Sequence, residues 1–417
     1  MIRINEKRLW QRQQQIASIG ADKRGGISRF AWTSEYREAC QLLNSWMEQA
    51  NLTVRMDSVG NLFGRMDGAE QLPAILSGSH FDTVPQGGKY DGITGIMATL
   101  EVLQTLRDYA VVPRRPIELV AIINEEASQF LGGTFGSKAM CGMLPHDYPY
   151  ICRHRATGQT LRDAMLKFDM NLDPDNIESS ILRRDDYCCF LEVHIEQGRY
   201  LLDHDLPLAV VSDIAGIKQF YISIHGVSCH AGGMAMNYRH DALAAAAEIT
   251  CEVERLAKKM SPHTRGTVGF IQTVPAEHNI VAGEARMPVD YREADDDKWL
   301  LFYSELMAHT EKACKSRGLT YSVCTTLDER PAHCHLGIQH QILGAADAYG
   351  IQHTEMISYP CHDAMNMARI MPTGMIFLRS SNNGVSHCPE EYTTPEDLAC
   401  GANTLLGTIL NICDNDL

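Results

Sequence analysis

The stretch AILSGSHFDTVPQGGKYDGITGIMATLEVLQTLR, residues 74–107, decides the fold. It opens on a short apolar run, AILSGSH, that ends at His80. Such a run reads as a strand buried on both faces, the kind found in parallel sheets. A polar, glycine-rich connection follows and ends at Asp91. From Gly92 to Arg107 the apolar residues recur with helical period. Strand, loop and helix in that order build an α/β sheet, and ligands of such sheets collect at the carboxyl ends of the strands.

The same pattern recurs along the chain. IELVAIINEE (117–126), CCFLEVHIEQG (188–198) and GMIFLRSSNNGVSH (374–387) are apolar runs that finish in acids or histidines. Together they predict an α/β catalytic domain with a mostly parallel central sheet flanked by helices. Residues 35–50 predict a helix with Ser34 as its N-cap. Residues 52–66, with a turn at Gly60–Asn61, predict a hairpin. From about 212 the pattern changes. KQFYISIHG (218–226) alternates as a half-buried strand does, 267–275 and 284–293 read as further strands, and 241–260 and 297–318 read as helices. This predicts an inserted α+β domain over 212–328, leaving 1–211 and 329–417 to the catalytic domain.

Composition narrows the function. Lys and Arg number 37 against 52 Asp and Glu, a net charge of −15. An acidic chain of this kind argues against nucleic acid or an anionic membrane as its partner and leaves a small-molecule substrate. No apolar run approaches the ~18 residues of a membrane span. The opening MIRINEKRLWQRQQQIASIG lacks the apolar core of a secretory leader. The 14 cysteines contain no CxxC. Reduced thiols and a cytoplasmic location are the expectation.

The strand ends supply the chemistry. His80 and Asp82 are two apart and face the same way on a strand, which suits a metal ligand and the carboxylate that orients it. Asp91 has two oxygens and can bridge two cations. Glu125 and Glu126 are adjacent and point to opposite sides, so one can ligate while the other serves as a base. His194 and His387 complete two sites of imidazole and carboxylate ligands. Such sets suit two divalent ions, zinc first, with manganese, nickel or cobalt as alternatives. Any one of the 17 histidines, taken alone, reads as a surface or core residue. An isolated Glu-Glu pair reads as a solvated face. The set as a whole resists that reading, because carboxylates buried without a cation are costly.

These residues carry a resemblance. GSHFDTVPQGGKYDG (78–92), NEEASQF (124–130), EVHIEQG (192–198), HAGG (230–233) and NGVSHCPEE (383–391) resemble the M20 metallopeptidase-like amidohydrolases. The branch they are most similar to holds N-carbamoyl-L-amino acid hydrolases, allantoate amidohydrolase and β-ureidopropionase. GADKRGGISR (20–29) and VGNLFGRMDG (59–68) extend the likeness over nearly the whole chain. The resemblance implies one metal on His80, Asp91 and His194 and another on Asp91, Glu126 and His387. It implies Asp82 as the clamp on His80. Glu125 would move a proton from the attacking water to the leaving nitrogen. It gives the inserted domain the part of a lid and dimerisation module, with hinges near 212 and 328. His230 would polarise the scissile carbonyl from a partner subunit. Gln197 and Asn279 would line the substrate pocket, and Arg292 would hold a substrate carboxylate. Without the resemblance, Arg292 reads as a surface ion pair.

Some positions depart from the family pattern. Ser358-Tyr359-Pro360-Cys361-His362-Asp363-Ala364 stands where the family has Ser-Gly-Ala-Gly-His-Asp-Ala, so Cys361 and its neighbours place side chains where glycine leaves room. HAGG is followed by Met-Ala-Met, Gln129 replaces an Arg, and Cys388 replaces an Asn. No ligand is lost. The expected reaction is hydrolysis of an N-carbamoyl-L-amino acid to amino acid, ammonia and CO₂. The alternatives are allantoate hydrolysis, an aminoacylase or dipeptidase activity, and a non-catalytic dimeric binding protein.

Overall fold

The computed structural model describes residues 1–130, 132–168 and 170–415. It divides into two compact units. The first comprises Met1–Ser212, His333–Ser358 and His362–Leu417, and the second Asp213–Ala332 with Tyr359–Cys361. Sequence alone leaves Tyr359–Cys361 with the first unit, because no periodicity marks three residues that pack elsewhere.

The first unit is built on four parallel strands in the order Ile117–Ile122, Ala74–His80, Tyr187–Ile195 and Thr373–Leu378. The strands Ala74–His80, Ile117–Ile122 and Thr373–Leu378 are buried throughout, which is why they read as mostly apolar runs. Antiparallel strands extend both edges: Leu62–Met66 and Thr53–Met56 on one side, Leu208–Ile214 on the other. The helix Ile93–Asp108 packs on the central strands and is itself covered by the helices Pro395–Asp414 and Glu6–Ile16. It is therefore buried nearly all round. The helix at 34–49 is capped by Thr33, whose hydroxyl accepts from the Tyr36 N–H, and not by Ser34. Ser34 has already entered the first turn, one residue before the periodicity shows it.

Arg29 ties the amino-terminal segment to this sheet. Its guanidinium is fully buried and donates to the carbonyls of Ile16, Ile19 and Phe81. Its own N–H donates to the Thr83 hydroxyl. The turn after His80 is thus held by main-chain acceptors gathered around one cation.

The second unit is an antiparallel sheet in the order Gln272–Val274, Glu284–Glu293, Gly216–His225, Thr320–Glu329, with Arg265–Val268 also paired to Glu284–Glu293. Alternate residues of Glu284–Glu293 are buried, and the helices Ala242–Met260 and Asp296–Ser316 pack against each other and that face. Residues 267–275 read as one strand in sequence, but the pairing breaks between Val268 and Gln272. Thr320–Glu329, mostly exposed or half-buried, was beyond the reach of an apolar pattern.

A candidate metal centre at the strand ends

His80 and His194 are the last and next-to-last residues of neighbouring parallel strands, so their rings meet where the sheet stops. Both are almost fully buried. Each ring is oriented by a main-chain carbonyl: His80 Nδ1 lies 3.1 Å from the Asp82 carbonyl oxygen, and His194 Nδ1 lies 2.9 Å from that of Ile195. A carbonyl only accepts, so Nδ1 carries the proton in each ring and Nε2 is left as a lone pair. Asp91 Oδ1 stands 3.0 Å from His80 Nε2 and 3.1 Å from His194 Nε2. The two Nε2 atoms are 3.5 Å apart.

Three acceptors facing one another at these distances require a cation between them. Where no metal is bound, protons serve. His80 is pushed well above the usual imidazole range; burial works against this, and the Asp91 hydrogen bond and the acids nearby overcome it. Asp91 is held well below the usual carboxylate range: its burial opposes the shift, and His194, His387 and His80 outweigh it. The donor set of imidazole nitrogens and carboxylate oxygens fits a divalent metal ion. Ligand atoms of His80, Asp91 and His194 lie within 4.8 Å of one another, as do those of Asp91, Glu126 and His387, and those of His80, Glu125 and Glu126. Gly92, which follows Asp91, has φ of +66°, and a Cβ there would lie 2.4 Å from the His80 ring. Only glycine lets the helix start this close to a ligand.

Asp82 does not clamp His80 through its carboxylate, as the resemblance implies. Its Oδ1 is 3.9 Å from His80 Nδ1, and the main-chain carbonyl takes that proton instead. The carboxylate turns to the next strand's loop, accepting from the N–H groups of Glu125 at 3.0 Å and Glu126 at 3.2 Å. The strand ends at Ile122, so both glutamates lie in the loop beyond it and strand alternation does not set their directions. Asn124 and Ala127, on either side of the pair, both have left-handed backbone, φ +55° and +50°. Non-glycine residues in that region mark sites where surrounding contacts impose the geometry. Burial pushes Glu125 well above the usual carboxylate range, and the neighbouring Glu126 adds to it. Glu126 rises to about 7 by burial and the nearness of Asp91.

His387 lies in the loop beyond Thr373–Leu378, half-exposed, with φ of +58°. Its Nε2 is 3.2 Å from Asp91 Oδ2 and 3.4 Å from Glu126 Oε1. Hydrogen bonding to Asp91 first, with burial opposing, brings it to about 9. Gln197 donates from Nε2 to Asp91 Oδ2 at 2.6 Å. Its buried Oε1 has no donor among the described residues.

Four residues of this region escape sequence reasoning as site residues. Glu192 accepts from the Ser79 hydroxyl at 2.6 Å and the Ala364 N–H at 2.9 Å. The His362 ring centroid is 4.4 Å from that of His194, and its Nε2 is buried without a partner among the described residues. Burial and the adjacent His194 keep His362 well below the imidazole range. Asp363 accepts from Ser137 at 2.5 Å and rises to about 7 through burial and the nearness of Glu192. Glu391 is buried and accepts from the N–H groups of Tyr90 and Asp91. The available signal was an acid inside an apolar run, as in CCFLEVHIEQG.

The other expected residues lie in the second unit. His230 pairs with Ile280 in a short two-stranded sheet, and Ala231 N–H donates to the Asn279 carbonyl at 2.9 Å, so His230 and Asn279 sit side by side. Both are exposed. His230 Nδ1 accepts from the N–H groups of Gly232 at 3.1 Å and Gly233 at 3.0 Å. That assigns the neutral ring's proton to Nε2. Arg292 is paired with Asp290 through Nε at 3.1 Å and Nη2 at 3.3 Å, and donates from Nη1 to the Tyr359 carbonyl at 2.9 Å. Three of its five N–H groups are committed and two remain. Cys361 is half-buried, two residues after Tyr359, whose ring lies under the Arg265 guanidinium at 4.5 Å.

The sequence profile of peptidase family M20/M25/M40 matches residues 76–411. An N-carbamoyl-L-amino acid amidohydrolase of Geobacillus stearothermophilus is 34% identical over 414 residues, 99% of this chain and 100% of that one. Allantoate amidohydrolase of Escherichia coli K12 is 33% identical over 392 residues, 94% of each chain. A solved amidase of the hydantoinase/carbamoylase family from Burkholderia multivorans superposes with a TM-score of 0.90 at 30% identity, covering all of both chains. A tripeptidase from Staphylococcus aureus, at 17% identity and a TM-score of 0.68, shares the fold.

Proposed function

The chain belongs to peptidase family M20/M25/M40 and is a hydrolase of carbon–nitrogen bonds; from that premise we propose that its substrate is an N-carbamoyl-L-amino acid, cleaved to the amino acid, ammonia and CO₂. The observation that carries this reading is the end-to-end similarity to an N-carbamoyl-L-amino acid amidohydrolase, 34% over 99% of the chain. The free Gln197 Oε1 supports it: a buried acceptor beside Asp91 suits the N–H groups of a ureido end.

We read His80, Asp91 and His194 as holding one divalent ion and Asp91, Glu126 and His387 as holding another, zinc first. Ions held there would polarise a carbonyl and bring the pKa of water toward neutrality. Glu125, held by its N–H on Asp82 and raised by burial, takes the proton of the attacking water and returns it to the leaving nitrogen. In the second unit His230 presents an Nε2 proton, the donor needed by a developing oxyanion. Arg292 has two N–H groups left for a carboxylate. Val227, Met236, Tyr238, Phe270 and Val274 of that unit are each at least half exposed, and we read the unit as the dimerisation module. Light scattering on the purified chain should give twice the monomer mass.

The test is a substrate panel of N-carbamoyl-L- and D-amino acids, allantoate, ureidoglycolate, N-acyl amino acids and dipeptides on metal-reconstituted protein. Ammonia release from N-carbamoyl-L-amino acids above all others is expected. Preference for allantoate would overturn the assignment, and turnover without ammonia would move it to the aminoacylases and peptidases.

A further inference from the structure

We propose that Glu391 is a positioning residue that fastens the loop carrying Asp91 to the loop carrying His387, and so sets the separation of these two groups. The proposal rests on the reading of both as metal ligands. Glu391 is 3% exposed. Its Oε1 accepts from the N–H of Tyr90 at 2.8 Å and of Asp91 at 3.0 Å. Its Oε2 lies 2.6 Å from Ser386 Oγ, and Ser386 immediately precedes His387. The same Oγ lies 2.9 Å from Asp91 Oδ2. One side chain thus grips the main chain at one ligand and the residue beside the other, across 301 positions of sequence in the Tyr90 bond.

The need for a fastening is visible at both ends. His387 is half-exposed and left-handed, so packing does not place it. Asn382 Nδ2 to the Glu390 carbonyl and the Ser381 N–H to the Tyr392 carbonyl close the loop on itself, and Gln197 Nε2, 2.6 Å from Asp91 Oδ2 and 3.3 Å from His387 Nε2, touches the two side chains but not the main chain at Asp91. At Asp91 the chain turns from Gly88 into the helix, and the N–H groups of Tyr90 and Asp91 face the buried Glu391 carboxylate. A Cβ on Gly88 would lie 2.1 Å from Glu391 Cδ and Oε1. Glycine there keeps open the space the carboxylate fills. This gives two independent handles on one arrangement, from residue 391 and from residue 88.

Charge is the competing explanation, since a buried carboxylate near a cation raises its affinity without fastening anything. Glutamine separates the two. In Glu391→Gln the amide oxygen still accepts from both N–H groups, and the amide N–H₂ keeps the tie to Ser386 by donating to Oγ where the carboxylate accepted from it, while the charge is gone. The experiment is titration of the metal-stripped full chain with Zn²⁺ against a chromophoric chelator, with no substrate present. Glu391→Ala and Gly88→Ala should each weaken binding of one equivalent by about 10–100-fold, the usual effect of removing an outer partner of a metal site. Glu391→Gln should stay within about threefold of the parent. Parent-like affinity in Glu391→Ala would overturn the fastening. So would Glu391→Gln as weak as Glu391→Ala, which would assign the effect to charge. Should Glu391→Ala fail to fold, Gly88→Ala with Glu391 intact decides alone. A parent chain that binds no Zn²⁺ would remove the ligand reading beneath the proposal. A failed carbamoyl assay beside intact Zn²⁺ binding touches only the substrate.

Discussion

In the first unit His80, Asp82, Asp91 and His194 are each less than a tenth exposed and lean on one another. In the second, His230 and Asn279 stand in the open, and Arg292 is already paired within its own sheet. The first unit collects like charges at the ends of parallel strands, where burial makes their mutual repulsion expensive and a cation the natural remedy. The second sets single polar groups on turns and strand rims, each with one proton or two N–H groups to offer. Buried acceptors gather in one unit, and the other holds its polar groups nearer the surface.

That contrast can be broken at several depths. Stripping the protein with a chelator should bring hydrolysis to background, and returning Zn²⁺ or Mn²⁺ should restore it; retained turnover would end the metal reading. Glu125→Gln should keep metal content and thermal stability while lowering kcat by about 10²–10⁴-fold, the range for a lost general base. If kcat survived, Glu125 would not move the proton. His230→Ala, in the exposed unit, should lower kcat by about 10²–10³-fold with metal stoichiometry unchanged. Arg292→Ala should act mainly on KM, by roughly 10–100-fold for about 1.5–3 kcal/mol of charge-assisted hydrogen bonding. No change in KM would leave Arg292 as the Asp290 ion pair it already makes.

The smallest effect is one of pH, confined to the first unit. Glu126 and Asp363 have folded values near 7, above the ~4 of unfolded carboxyls. The folded state therefore binds more protons, and stability present at low pH is lost as pH rises from about 4 through 7. His387, brought to about 9, extends the loss from about 6.5 to 9 by the same sign. Metal-free protein should show a Tm that falls across pH 5–9, and metal-loaded protein a flatter one. Equal slopes would mean these groups do not share a cation.

The parallel strands were legible because burial on both faces leaves them mostly apolar, and polar residues gather where the sheet ends. His80, His194 and the Glu125–Glu126 pair were singled out that way. Thr320–Glu329 and the break inside 267–275 were not, since a half-exposed strand obeys no strict alternation. The orienting partner of His80 was misread for a different reason. Spacing of two on a strand predicts which way Asp82 points, but the chain leaves the strand at His80, and a main-chain carbonyl, invisible in any sequence pattern, takes the ring proton. The placing of Tyr359–Cys361 with the second unit likewise depends on packing that three residues cannot announce.

The span of Glu391 has a bearing on how the protein is made. Its partners Tyr90 and Asp91 are synthesised 300 positions and more before it. At ribosomal rates of about 5–20 residues per second, that gap is roughly 15–60 s. Through that interval the emerging chain holds His80 and Asp91 without His387 and without the carboxylate between them. These groups are all present only once residue 391 has left the ribosome. The ion proposed for Asp91, Glu126 and His387 would therefore be taken up only after residue 391 is made, from whichever divalent ions the surrounding pool then supplies.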